Sequence, residues 1–203
     1  MSLQKNTLIK YWQTNEKRFN RLVNELDFRP CGVWYTDAFL FLSICDLLEV
    51  DMIIESGRAW GVSTELFAKY SNFEVHSVEQ VPTRADHIAR PILEKYDNVV
   101  LYDDNTHAVG RDIIQNNYDK NIGVFIDGPK GIDGQSSLAH HLNYSNVKVF
   151  GFHDRTDTDD CDFHTFTLDF LSDYMYLNDK IFEQDPEQLS NGELGCGCLI
   201  KIN

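Results

Sequence analysis

The chain has 203 residues, 42% of them hydrophobic and 25% charged, and its 18 Lys and Arg stand against 32 Asp and Glu for a net charge of −14. That length supports one domain with a sizeable core, and so acidic a surface repels phosphate backbones and anionic lipid, which sets aside nucleic acid and membranes as partners. No apolar stretch approaches the roughly 20 residues that cross a bilayer, and residues 1–6 lack a signal-peptide core. The scattered Cys31, Cys45, Cys161, Cys196 and Cys198 suit buried, reduced thiols, so a cytoplasmic protein is expected.

Two amphipathic helical stretches open the chain, at about 5 to 26 and 36 to 49, with Arg29-Pro30-Cys31-Gly32 as the loop between them. Short apolar runs then alternate with helical patterns. The runs are Met52–Glu55, Phe73–Glu79, Asn98–Tyr102, Ile122–Asp127 and Val147–Phe152. Helices are expected between them over 62–70, 83–96, 107–118 and 133–144. Strands separated by helices imply a parallel sheet with crossover connections. Asp154 to Asp160 reads as a loop, because nothing in it is cheaply buried. Beyond it come a helix-like piece over 162–173 and short strands at Tyr174–Leu177, Lys180–Phe182 and Cys196–Ile202. Strands joined by a loop after such a series imply an antiparallel pair at one sheet edge.

The run Asp51-Met-Ile-Ile-Glu55-Ser-Gly57-Arg-Ala-Trp-Gly61-Val-Ser63 is the most informative stretch. It reads as a buried strand, a glycine turn and a helix N-terminus, whose exposed N–H groups suit a carboxylate or phosphate. In an open parallel sheet, ligands bind beyond the carboxyl ends of the strands. Each of the five expected ends carries acid: Glu55, Glu79, Asp103 with Asp104, Asp127, and Asp154 after His153. Glu79 lies about twenty residues past the turn, where a carboxylate can bond ribose hydroxyls. Asp103 or Asp104 could instead cap the next helix. Lys130, three residues after Asp127, is either a surface lysine or a base. The dinucleotide pattern Gly-x-Gly-x-x-Gly is absent, as is the phosphate loop, and Arg58-Ala59-Trp60 makes the turn bulky for a pyrophosphate.

These residues resemble the class I S-adenosylmethionine-dependent methyltransferases, most closely the small-molecule O-methyltransferase branch of catechol-type and macrolide-sugar enzymes. Glu55-Ser-Gly57-Arg-Ala-Trp-Gly61-Val-Ser63 is similar to that branch's Glu-x-Gly-x-x-x-Gly-x-Ser loop, Val75–Glu79 to its second strand, and Phe125-Ile-Asp127-Gly-Pro-Lys130 to its fourth-strand Asp-x-x-Lys segment. The resemblance, over about residues 36 to 203, implies a Rossmann-like α/β/α sandwich. Its sheet would have seven strands, mostly parallel, with an antiparallel C-terminal pair. It implies a helical lid or cap over 1–50, with Trp34-Tyr35 in the acceptor wall, and one compact S-adenosylmethionine-binding unit over 51–203.

The implied roles follow residue by residue. Glu55, Gly57, Gly61 and Ser63 form the donor loop, Ser63 and the helix N-terminus taking the donor's carboxylate. Glu79 bonds the ribose, and Asp103 and Asp104 lie by the adenine. Asp127 sits near the sulfonium or its amine, and Lys130 with Asp127 forms the catalytic pair. Some branch members hold Mg²⁺ on the fourth-strand Asp, the fifth-strand Asp and a following Asn. Asp127 and Asp154 match the first two, but Arg155 stands in the third place, so His153 or Asp157 would have to complete the site. The expected activity is methyl transfer to a hydroxyl of a small-molecule acceptor. The alternatives are a non-catalytic ligand- or partner-binding domain and, less well supported, a hydrolase or hydroxylase using His153, Asp154 and His164. The N-terminal helices could also pair with a second copy as a homodimer.

Overall fold

The computed structural model describes residues 5–27, 35–129, 141, 143–156, 174–178 and 194–201. Helices α1 (Lys5–Asn24) and α2 (Tyr35–Leu47) precede β1 (Met52–Ser56), α3 (Val62–Tyr70), β2 (Glu74–Val78), α4 (Arg84–Leu93), β3 (Val99–Tyr102), α5 (Thr106–Asn116) and β4 (Ile122–Ile126). The strands β5 (Val147–Thr156), β6 (Tyr174–Asn178) and β7 (Leu194–Lys201) follow. The sheet runs β3-β2-β1-β4-β5-β7-β6. Parallel pairing joins β3, β2, β1, β4 and β5, and β7 runs antiparallel to both β5 and β6. This is the mostly parallel, Rossmann-like arrangement with a reversed strand near its C-terminal edge.

Alternation along the strands divides the core between the two faces of the sheet. Ile53, Val75, Phe125, Val149 and Ile200 face α1, α2 and α3. Met52, Ile54, Val124, Ile126, Phe150 and Leu199 pack with Ile113 and Ile114 of α5. Both faces being covered, β1 and β4 are buried at every position; β4 reads as a continuous run without polar side chains, and β1 does so from Met52 to Ile54 before the buried Glu55 and Ser56. The first helices belong to the same core: α2 is buried from Asp37 to Cys45, and Phe41 packs against Phe67 and Phe125 with ring centroids 5.6 and 5.1 Å apart. Gly151 makes room for this, since a Cβ there would come within 2.6 Å of the Phe41 ring and 2.7 Å of Phe125. Tyr11 of α1 donates to Asp46 of α2, which fastens the outer helix to the inner one.

Residues 154–156 depart from their reading as a loop, and Asp157 to Asp160 lie outside the described residues. β5 continues through Thr156, with Arg155 and Thr156 paired to Gly195 and Leu194 beyond a register shift. Ladder pairing with β7 satisfies the backbone there, and polar side chains do not oppose it. The helix expected over 133–144 lies outside the described residues except for 141, 143 and 144. The elements expected over 162–173 and 180–182 lie wholly outside them, as do Cys31, Trp34 and Cys161. Cys45 and Cys198 are buried free thiols. Among the described residues no helix is long and apolar enough to cross a membrane.

Candidate functional site

Strand order reverses between β1 and β4, and at such a switch point the connections leave the sheet in opposite directions and open a crevice. A cleft of about 220 Å³ lies here, lined by Gly57, Glu79, Gln80, Val81, Thr106, Gly128 and Pro129. Its floor is a close crossing of two backbones. Asp127 and Gly128 donate their N–H groups to Ser56 O at 2.8 and 2.9 Å. Gly57 has φ 91°, and a Cβ on it would meet Gly128 N at 2.5 Å, so only glycine fits. Gly61, with φ 68°, ends the turn and starts α3 without a side-chain cap, which leaves the first N–H groups of that helix to other partners.

Glu55 and Ser63 lie beneath the turn. Ser63, Thr64 and Ser77 all donate their hydroxyls to the Glu55 carboxylate, Ser77 at 2.6 Å. The group is fully buried. Desolvation pushes the Glu55 pKa up to about 7, against the pull of the three hydroxyl donors and with some help from the charge of Asp127. The Ser63 hydroxyl is thus turned inward to Glu55.

Arg58 occupies the position that made the turn look crowded, yet it points away from the cleft and is 1% exposed. Its Nε donates to Asp86 Oδ1 at 2.6 Å, its Nη1 to the carbonyls of Ser77 and Tyr102 at 2.8 and 3.3 Å, and its Nη2 to Asp103 Oδ1 at 3.0 Å. Asp103 also pairs with Arg90. The peptide N–H groups of Arg58 and Ala59 donate to Glu79 Oε2 at 3.1 and 2.8 Å, while Glu79 Oε1 has no hydrogen-bond partner among the described residues. Asp104 is exposed and accepts from Asn105 N. Neither of these aspartates caps α5; that position belongs to Asn105, which accepts from His107 N at 2.9 Å.

Asp127, at the end of β4, lies with its Oδ1 3.0 Å from His153 Nδ1. The other ring nitrogen of His153 is 3.3 Å from Oδ2 of the buried Asp37 on α2. The chain of Asp37, His153 and Asp127 spans α2, β5 and β4; sequence reading had singled out its last two members and missed Asp37. Lys130 lies outside the described residues, as does the side chain of Asp154. Of the two expected Mg²⁺ ligands the structure describes the carboxylate of Asp127 alone. His153 already holds the Asp127 carboxylate, and among the described residues no group of three or more His, Cys, Asp or Glu side chains is arranged to hold a metal.

No protein-family model matches the sequence, and no curated protein matches it. Solved structures do. The O-methyltransferase TomG from Streptomyces achromogenes, involved in tomaymycin synthesis and solved with S-adenosylmethionine, superposes with a TM-score of 0.59 at 16% identity, covering 100% of this chain and 92% of that one. An O-methyltransferase from Bacillus cereus solved with S-adenosylhomocysteine gives 0.57 at 16% identity, covering 100% and 93%. A Staphylococcus aureus protein described as a caffeoyl-CoA O-methyltransferase gives 0.58 at 18% identity, covering 98% and 100%. The fold is that of the class I S-adenosylmethionine-dependent O-methyltransferases.

Proposed function

We propose that the cleft at the β1/β4 switch point binds S-adenosylmethionine, and that the protein transfers the methyl group to a hydroxyl of a small molecule. The observation that carries this reading is Glu79. Its carboxylate is held at the cleft by two turn N–H groups through Oε2, and Oε1 is left as an acceptor for the hydroxyls of a ribose. The fold shared with methyltransferases solved with donor or product supports it.

The donor, when bound, supplies an electrophilic methyl carbon on a sulfonium; the chain's part is to bind, orient and exclude water. In this reading Glu79 accepts from the ribose hydroxyls. The uncapped N-terminus of α3 holds the carboxylate of the donor through its backbone N–H groups, that of Ser63 among them, since the Ser63 hydroxyl is given to Glu55. Gly57 and Gly61 let the backbone approach it, Glu55 braces the loop from below, and Asp103 and Asp104 border the adenine. Asp127, steadied by His153, faces the donor's ammonium, and Lys130 takes the proton that the acceptor hydroxyl loses. No step is assigned to Mg²⁺ at Asp127 and Asp154. The acidic surface suits a small acceptor better than a nucleic acid.

Titration calorimetry with S-adenosylhomocysteine tests the reading. Binding by the wild type, with a loss of at least about tenfold in Glu79→Ala, is expected from removing a charged hydrogen-bond acceptor. Absence of binding at millimolar ligand in the wild type rejects the donor site.

A further inference from the structure

The turn from β1 to α3 places three residues out of five in the left-handed region: Gly57 (φ 91°), Ala59 (φ 42°) and Gly61 (φ 68°). Glycine adopts that conformation freely. Ala59 does not, and a strained residue of this kind persists only where its surroundings fix it. Here they do so from two sides. Above, Glu79 Oε2 takes the N–H groups of positions 58 and 59. Below, the guanidinium of Arg58 reaches Asp86 on α4, the Ser77 carbonyl on β2, the Tyr102 carbonyl on β3 and Asp103 just beyond it. Arg58 and Asp86 are both fully enclosed, at 0% side-chain exposure. One planar, five-donor group therefore binds the ends of two strands and a helix to the turn.

We propose that Arg58 is the positioning residue of the donor site: its guanidinium sets the strained turn, and the two N–H groups of that turn aim the Glu79 carboxylate into the cleft before a ligand arrives. The proposal rests on the donor-site reading above and assigns Arg58 no contact with the donor. Its chemistry is pre-organisation. If the turn is released, only a fraction of molecules present Glu79 correctly, and the apparent affinity falls by that fraction. The ribose contact is the same in the ground and transition states, so the donor KM rises while kcat is kept.

Arg58→Lys tests this. It keeps a cation beside Asp86 but cannot span the carbonyls and Asp103 with one flat fork. In the ligand-free protein, amide exchange at positions 58 and 59 should quicken at least about tenfold, with β1 and β4 still protected as the sign of an intact fold. Calorimetry with S-adenosylhomocysteine should show affinity weakened at least about tenfold. The double variant Arg58→Lys with Ala59→Gly should regain part of that affinity, because glycine removes the strain that Arg58 restrains.

Unchanged exchange at 58 and 59 in Arg58→Lys overturns the proposal. So does loss of protection throughout the sheet, which would make Arg58 a general strut, or fast local exchange with affinity within about twofold of wild type. Failure of the wild type to bind S-adenosylhomocysteine removes the donor reading instead, and the exchange comparison then decides by itself whether Arg58 sets the turn.

Discussion

Glu55 makes the stability of this protein fall as pH rises from about 4.5 toward neutrality. The carboxyl is fully buried among Ser63, Thr64 and Ser77, and desolvation raises its pKa from 4.5 to about 7. A carboxyl whose pKa is higher in the folded state binds its proton more tightly there. Below pH 4.5 both folded and unfolded chains hold the proton, and nothing is lost. Between 4.5 and 7 the unfolded chain ionises first, and stability declines by up to roughly 1.4 kcal/mol per pH unit. Above 7 the buried charge is carried by both states, and the accumulated cost is about 3 kcal/mol. Other groups titrate in the same range, so the measurement is a difference. Glu55→Gln keeps the shape but cannot ionise. Urea unfolding of both proteins at pH 5, 6, 7 and 8 gives two stability curves. The wild type should lose about 2 to 3 kcal/mol relative to Glu55→Gln across that span, most of it below pH 7. A difference constant to within about 0.5 kcal/mol would mean that the three hydroxyls stabilise the ionised form as well as water does, and the burial argument would be wrong.

Arg58→Ala should be far more damaging than Arg58→Lys, because it leaves the enclosed Asp86 with Arg90 alone, 3.4 Å away; a loss of about 3 kcal/mol in urea unfolding is expected. Gly57→Ala forces a Cβ onto Gly128 N at a left-handed φ, so it should cost at least about 2 kcal/mol and abolish S-adenosylhomocysteine binding in calorimetry. Gly151→Ala drives a methyl into Phe41 and Phe125 in the core beneath α2 rather than into the cleft lining. It should lower the thermal midpoint by the equivalent of about 1–3 kcal/mol and leave the affinity of the remaining folded protein unchanged.

The elements that the sequence made readable are those whose signals are local. Continuous apolar runs marked β1 and β4, since a strand covered on both faces needs no alternation, and Val62 to Tyr70 was readable as a helix to both ends. The cap of α5 was expected at Asp103 or Asp104 and falls one residue on, at Asn105, since Asn and Asp serve equally well at that position. The role of α2 was hidden for a different reason. A helix at the start of the chain looks like an appendage until the sheet face it fills is known; only Gly123 and Gly151, facing Phe41, carry a trace of it. Asp37 was missed with it, because its partner His153 is more than a hundred residues away.

The acids at the strand ends show how far spacing carries, and where it stops. That Glu79, Asp103 and Asp127 each follow the end of a strand was legible, but their division of labour was not. Asp103 is shared between Arg58 and Arg90, and Glu55 is sealed beneath the loop by three hydroxyls. Glu79 alone lines the described cleft with a carboxylate oxygen to spare. The residue that separates these roles is Arg58, which sequence rules mark as an obstacle because it interrupts a small-residue turn. A buried guanidinium needs acids, and the one close to it in the chain, Glu55, is taken by three hydroxyls; its partners Asp86 and Asp103 are 28 and 45 residues on. The bulk that reads as unfit for a pyrophosphate is a buried anchor that ties the turn to α4, β2 and β3.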